Sequence, residues 1–538
     1  MQPVSTAQRG LHGCLQTNEE DMKRNTAAKT PYGTYLPRDE KATILSYLGI
    51  PYAKPPVGEE GRFLPPRDLD PSDAVVRANR FGPAPLQPLN VVQGSNYLKW
   101  HEVQESSEDC LYLNIWTSDI ETRGKAVLFW LFGGSNYNGT TDRVLFNGQN
   151  FVRRHPDIIV VTAGYRTGAL GTINLAPLDP EGRYRESNNL LLLDQRKALQ
   201  WVYENIEAFG GDPKRITAYG HSAGSFDITI HLALPESSRY LSGAICQSAF
   251  ANAILLPDAG VQNSYDESLW FGEQFAAITG AKSVADLLEL SEEELLAAQE
   301  KLWKLHHPES GAMKATVVAD NIVVPTNCFE RICQGSAAHV SLMTGVSDGE
   351  IDQMFEGEEP SEAMVKKAAG GPAYRWYGLR GGDVSALARA YVKAGIQYGL
   401  TEKNAIVDLR NESVFGVPGG MLCQAQSRFK PAYNFRFMWN DPALFPRTPH
   451  GMPQPFVFLN CIPAKAPAHL AEQVSDAWAA FIRSGNPNHE GIPFWPPYTQ
   501  DNRATMLIDE TWEAGELRPA CRDILQGLYP QAMELLKG

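Results

Sequence analysis

A serine flanked by glycines, Gly220-His221-Ser222-Ala223-Gly224, stands between a short β-prone run, Ile216-Thr217-Ala218, and a helix-forming stretch from Ser225 to Leu234. Strand, sharp turn and helix in that order lift the middle residue of the turn to its tip, and Gly-x-Ser-x-Gly is the pattern of such a nucleophile elbow. Glycines at 220 and 224 allow a close approach of strand and helix that Cβ atoms would obstruct. Ser222 would then stand at the positive end of the following helix, with the N–H of Ala223 placed where a developing oxyanion needs a donor.

A serine hydroxyl is a weak nucleophile until a base takes its proton, and the base needs an acid to orient it. With a nucleophile elbow the chain order is Ser, then Asp or Glu, then His. Of eleven histidines, His450, His469 and His489 lie far enough downstream. His489 sits in a turn, Gly485-Asn486-Pro487-Asn488-His489, and His469 opens an amphipathic helix. His450, in Thr448-Pro449-His450-Gly451-Met452-Pro453, occupies a proline-braced loop able to hold an imidazole over a sheet edge. For the acid, the loop after a strand ending at Gly345 offers Asp348, Glu350 and Asp352, among which spacing does not choose. Backbone donors for an oxyanion are available from Gly133 and Gly134, which follow a buried strand upstream of the serine.

These groups need a scaffold that delivers them to one edge. Ala126–Phe132 and Ile158–Thr162 are uninterrupted apolar runs suited to strands buried on both faces. Leu190–Phe209 has apolar residues at helical spacing and stops at Gly210-Gly211-Asp212-Pro213, and the elbow strand follows directly. Strand, helix, strand, turn, helix is the rhythm of a parallel sheet, so the fold class expected is α/β. Further strands are expected at 44–52, 108–116, 339–345 and 431–437, and helices at 260–310, with Ser291 and Glu294 as a capping box, and at 470–483. Residues 65–105 read as a long surface loop, residues 356–385 as an insertion, and residues 1–30 as a flexible arm.

A chain of 538 residues invites two to four domains on length alone. A net charge of −14 argues against nucleic acid or an anionic membrane surface as partner, since both want a basic face. No apolar run approaches the length of a membrane span, and the polar N-terminus has no signal-peptide core. Eight scattered cysteines lack metal-ligand spacing and are expected as reduced thiols in a cytoplasmic protein. No metal and no cofactor is called for.

The chain resembles the type-B carboxylesterases, the family of cholinesterases and related lipases, over nearly its whole length. The resemblance rests on Tyr47–Gly58, Ser107–Trp116, Asp194-Gln195-Arg196 through Phe209–Pro213, the Gly220 elbow, His450-Gly451 with Pro455–Phe458, and Gly485–Asn488 with Trp495–Tyr498. It implies an α/β-hydrolase fold: one domain over 31–538 with a central, mostly parallel, twisted sheet flanked by helices and carrying large helical and loop insertions. It also implies Ser222 as nucleophile, His450 as base, Glu350 as acid, with Gly349 where the family has Asp, and Gly134, Ser135 and Ala223 as oxyanion donors. Arg62 with Glu108, and Arg166 with Asp194, are implied as structural ion pairs.

The departures define the expectations to be tested. Phe132-Gly133-Gly134-Ser135-Asn136 replaces the family's run of three glycines, so one donor carries a side chain. His221 replaces the usual Glu before the serine. Trp100 lies ten residues before Cys110, as the choline-stacking Trp does in cholinesterases, and with Gly133 and His221 it is expected in the substrate pocket. The cysteine that would pair with Cys110 is missing, which fits an intracellular variant, and the resemblance is taken to be to a fungal intracellular member of the family. The implied activity is hydrolysis of a small organic ester through an acyl-enzyme. Acyl transfer, amide cleavage, or a lyase or cyclisation step with the same triad is the alternative, and a catalytically silent binding homologue is a weaker one.

Overall fold

The computed structural model of the chain describes residues 24–89, 103, 105–249, 264–308 and 317–537. Its centre is a sheet of ten strands: β1 (Leu45–Pro51), β2 (Tyr112–Thr117), β3 (Lys125–Leu131), β4 (Ile158–Ala163), β5 (Gly211–His221), β6 (Gly243–Gln247), β7 (Ser341–Ser347), β8 (Ala432–Phe437), β9 (Thr505–Ile508) and β10 (Trp512–Gly515). The order across the sheet is β10-β9-β8-β7-β6-β5-β3-β4-β2-β1. Strands β4, β3, β5, β6, β7, β8 and β9 pair in parallel. Antiparallel pairs close both edges.

Every residue of β3, β4, β6, β7 and β8 is buried. That is what a parallel sheet covered on both faces demands, and why Ala126–Leu131 and Ile158–Val161 read as unbroken apolar runs. Helix α1 (Leu190–Asn205) and a 3-10 turn, Ile206–Phe209, return the chain to β5, with Gly210 at φ 91 providing the left-handed stop. Helix α2 (Ala223–Ala233) leaves the elbow, and helix α3 (Ala468–Ser484) ends at Gly485 with φ 74. The capping box of Ser291 and Glu294 is formed. Trp116, Trp130, Trp478 and Trp495 are fully buried in the core on this sheet. Phe271, Phe275, Val284 and Leu287, from the 265–303 helices, join a second apolar cluster with Leu170 and Ile173.

Two loop expectations are corrected. Ala28–Thr30, assigned to the arm of residues 1–30, is a strand paired with Gly33–Pro37, and the Tyr47 hydroxyl donates to the Thr26 carbonyl at 2.7 Å. Val75–Ala78, inside the expected 65–105 loop, pairs in parallel with Gly33–Pro37. Both strands are short, and Val75–Ala78 is mostly exposed, so neither carries an apolar signature. The expected insertion at 356–385 contains the helices Glu362–Ala368 and Pro372–Leu379.

Candidate active site

Because β3, β5, β6, β7 and β8 run in parallel, the loops that follow them emerge along one edge of the sheet. Those five loops bring Gly133–Asn136, Ser222, Ser248, Glu350 and His450 to one place.

Ser222 joins β5 to α2 with φ 56 and ψ −123, a strained conformation for a residue with a side chain. The strain is held from both sides: Ser222 N–H donates to the Gln247 carbonyl at 3.0 Å and its own carbonyl accepts from Phe226 N–H at 2.9 Å. Glycine is obligatory at both flanks. A Cβ at 220 would lie 2.5 Å from the backbone of Gly224, and one at 224 would lie 2.4 Å from the carbonyl oxygens of Leu131 and Phe132.

Glu350 is buried, 1 % exposed, and both its oxygens are used. Oε1 accepts from Ser248 Oγ at 2.7 Å and from Ser347 N–H at 2.6 Å, while His450 Nδ1 donates to Oε2. The two loops are also joined through their backbones, since Gly349 bridges to Pro449 and donates to the Thr448 carbonyl at 2.8 Å. A Cβ on Gly349 would come within 2.8 Å of Arg447 Cβ, which explains glycine there.

The rival acids and bases are occupied elsewhere. Asp348 lies 3.0 Å from Arg436, and Arg447 binds Asp352 at 2.6 Å and Asp408 at 3.4 Å. Burial would raise the Asp348 carboxyl, but Arg447, Arg436 and Arg518 outweigh it and hold it below the ordinary range. His469 bonds the Glu510 carbonyl and His489 the Gln473 carbonyl, both away from the cavity. Arg62–Glu108 and Arg166–Asp194 are buried, two-pronged ion pairs.

Ser222 and His450 line a cavity of about 220 Å³ together with Gly133, Gly134, Ser135 and His221. No hydrogen bond joins Ser222 to His450 among the described residues; in ligand-free sites such contacts commonly run long and tighten when substrate binds. His221 is buried, its ring 4.3 Å from that of His450. Burial, then the neighbouring His450 and Arg143, push it well below the ordinary histidine value, so it adds no positive charge.

The loop after β3 takes an unusual backbone path: Gly134 has φ 132, Ser135 φ 55 and Asn136 φ 53. Ser135 therefore does adopt a left-handed conformation despite its Cβ. Gly133 is needed because a Cβ there would lie 2.5 Å from the His221 carbonyl. The loop is pinned from below: Asn136 Nδ2 donates to Asp227 Oδ1 at 2.9 Å, Gln195 Nε2 donates to Asp227 Oδ2 at 2.7 Å, and Gly168 N–H donates to the Asn136 carbonyl at 2.7 Å. Among the described residues the N–H groups of Gly134, Ser135 and Ala223 donate to no protein acceptor. Ala223 is wholly buried beside Ser222 and opens α2.

Trp100 lies outside the described residues. The roles of Ser248 and Asp227 had no signal in the sequence, because each partner is distant along the chain; Arg143 also lies on the cavity wall. Among the described residues no cluster of His, Cys, Asp and Glu is arranged to hold a metal ion, and no helix is long and apolar enough to cross a membrane.

The sequence profile described as "Carboxylesterase family" covers residues 25–522. The chain is 28% identical over 502 residues to the para-nitrobenzyl esterase of Bacillus subtilis, covering 89% of this chain and 94% of that one. It is 29% identical over 530 residues to the liver carboxylesterase of Sus scrofa, covering 92% and 90%. The solved structure of the Geobacillus stearothermophilus carboxylesterase EST55 superposes with a TM-score of 0.78 at 28% identity, covering 93% of this chain and all of that one. The ten-stranded sheet is thus that of an α/β-hydrolase, and the chain belongs to the carboxylesterase family of serine esterases.

Proposed function

We propose that the protein hydrolyses a small carboxylic ester through an acyl-enzyme formed on Ser222. The observation that carries this reading is the buried Glu350 carboxylate receiving His450 Nδ1 on the wall of the cavity that also holds the Ser222 elbow. With Nδ1 donating to Glu350, Nε2 is left with a lone pair to take the serine proton, and the carboxylate stabilises the imidazolium that results. Ser222 Oγ attacks the ester carbonyl. The oxyanion is received by Gly134, Ser135 and Ala223 N–H groups, which among the described residues donate to no protein acceptor, with the positive end of α2 behind them. Imidazolium then protonates the leaving alkoxide, the alcohol departs, and a water activated by the same imidazole returns the acid and free Ser222.

An intracellular setting is part of the proposal. Cys110, Cys246, Cys328, Cys333, Cys423 and Cys521 are buried free thiols, which suits a reducing compartment. The experiment is stoichiometric labelling by an organophosphonate. One phosphonyl group per chain, lost in Ser222→Ala along with ester hydrolysis, supports the reading; an undiminished rate in Ser222→Ala rejects it.

A further inference from the structure

We propose that this cavity selects esters carrying a hydroxyl group over plain alkyl esters, and that Gln454, with His221 beside the nucleophile, reads that hydroxyl. The inference rests on the esterase reading of the same site and names its substrate class.

Gln454 follows His450 by four residues, in the short helix Pro453–Phe458. Its N–H donates to the Gly451 carbonyl at 3.1 Å, and prolines at 453 and 455 restrict the backbone on both sides. The residue lines the cavity with Ser222 and His450 and is only 3 % exposed. Among the described residues no protein group hydrogen-bonds its amide. The wall it shares is largely aromatic, from Trp130, Phe132 and Phe146, and the Thr140 hydroxyl is turned to Asp142 Oδ1 at 2.7 Å.

His221 lines the same cavity and is 8 % exposed, and its Nε2 is buried with no partner among the described residues. Burial keeps the ring neutral, so it brings one lone pair and one N–H rather than a charge. A buried polar group without a partner costs stability, and such groups in native sites call for a water or a ligand to answer them. Two neutral groups on one wall, each both donor and acceptor, match a ligand group that also donates and accepts and carries no charge. A hydroxyl does this: its O–H donates to the Gln454 amide oxygen or to the imidazole lone pair, and its oxygen accepts from an N–H. An alkyl ester of the same shape leaves these groups unanswered. A site that hydrogen-bonds a substrate hydroxyl rejects the analogue lacking it far more strongly than an apolar wall rejects an added one.

The test uses matched esters in which a hydroxyl replaces a methyl: methyl lactate against methyl isobutyrate, methyl β-hydroxybutyrate against methyl isovalerate, and ethylene glycol monoacetate against propyl acetate. Acid release is followed in a pH-stat with the full-length protein, and each kcat/KM ratio is divided by the ratio of the alkaline hydrolysis rates. In wild type at least one pair is expected to favour the hydroxy ester by about tenfold or more. In Gln454→Met, which keeps the volume and removes the amide, that ratio falls to about one. No preference in any wild-type pair overturns the inference. So does a Gln454→Met that keeps the wild-type ratio or lowers both members alike. If Gln454→Met does not fold, Gln454→Asn decides, since it draws the amide back from the cavity: a lowered ratio supports the inference and a wild-type ratio overturns it. Phosphonate labelling of Ser222 separates the two levels: labelling with no hydroxyl preference overturns this inference alone, while absence of labelling overturns the esterase reading beneath it.

Discussion

The side chain of Asn136 donates to Asp227 at 2.9 Å, across 91 residues of sequence, and so ties the loop that carries the backbone donors to the helix that begins behind Ser222. Asp227 is fully buried and faces two amides, Asn136 and Gln195, with no cation against it among the described residues. Gln195 Oε1 in turn meets His231 Nε2 at 2.9 Å, and the ring of His231 is kept neutral by burial.

This pair makes stability depend on pH. Burial pushes the Asp227 carboxyl up to about 7, against the hydrogen bonds from Gln195 and Asn136, which lower it. The folded protein therefore keeps a proton that the unfolded chain gives up near pH 4. A raised folded value means the contribution is complete below the unfolded pKa and is lost as pH climbs through the folded one. Between about pH 4 and pH 7 the loss amounts to as much as about 4 kcal/mol. Urea unfolding from pH 5 to 8 should show wild type losing stability relative to Asp227→Asn as pH rises. Asn136 Oδ1, which has no partner among the described residues, can turn to accept from the new amide. Parallel pH curves for the two proteins would contradict it.

Ser248→Ala removes the hydroxyl that holds Glu350 Oε1 and leaves the Ser347 N–H in place. A hydrogen bond to a charged group is worth about 1.5–3 kcal/mol. The variant should therefore lose about tenfold or more in kcat with KM little changed, since the acid is loosened rather than removed. Steady-state kinetics on any turned-over ester measures this, and a loss confined to KM would disagree.

Ser135→Gly tests the altered donor loop. Ser135 already sits at φ 55, so its N–H is where a glycine would put it, at a cost of about 1–2 kcal/mol in backbone strain. The substitution should change kcat by less than about threefold. Had the native serine displaced the donor, restoring glycine would raise the rate by the about 10²–10³-fold that one oxyanion donor carries.

Arg447→Met should unfold the protein more easily by about 3 kcal/mol, because it strands the largely buried Asp352, while the buried Asp408 keeps Arg518 at 2.9 Å. Arg447 also begins the loop that reaches His450, so thermal denaturation and activity should fall together. An unchanged melting temperature would show the cluster to be dispensable.

The nucleophile elbow was legible because its chemistry is local: five consecutive residues hold the glycines, the serine and a donor. His450 could be separated from His469 and His489 by its proline-braced loop, and the structure leaves the other two bonded to surface carbonyls. Spacing did not separate Glu350 from Asp348 and Asp352, because the choice depends on arginines 436, 447 and 518 that arrive from far along the chain; only the family resemblance pointed to Glu350. Asp227 and Ser248 were illegible for the same reason, each acquiring its role from a partner that only folding supplies. The strand at Ala28–Thr30 was missed because three residues of alternating burial carry no period to read.

The most direct test of the central claim is rapid-quench mass spectrometry of the intact protein during turnover of an activated ester. The account predicts an acyl adduct that forms within the first turnover, approaches one per chain, maps to the peptide containing Ser222, and is absent in Ser222→Ala. An adduct on any other residue, or full turnover in Ser222→Ala, would contradict it.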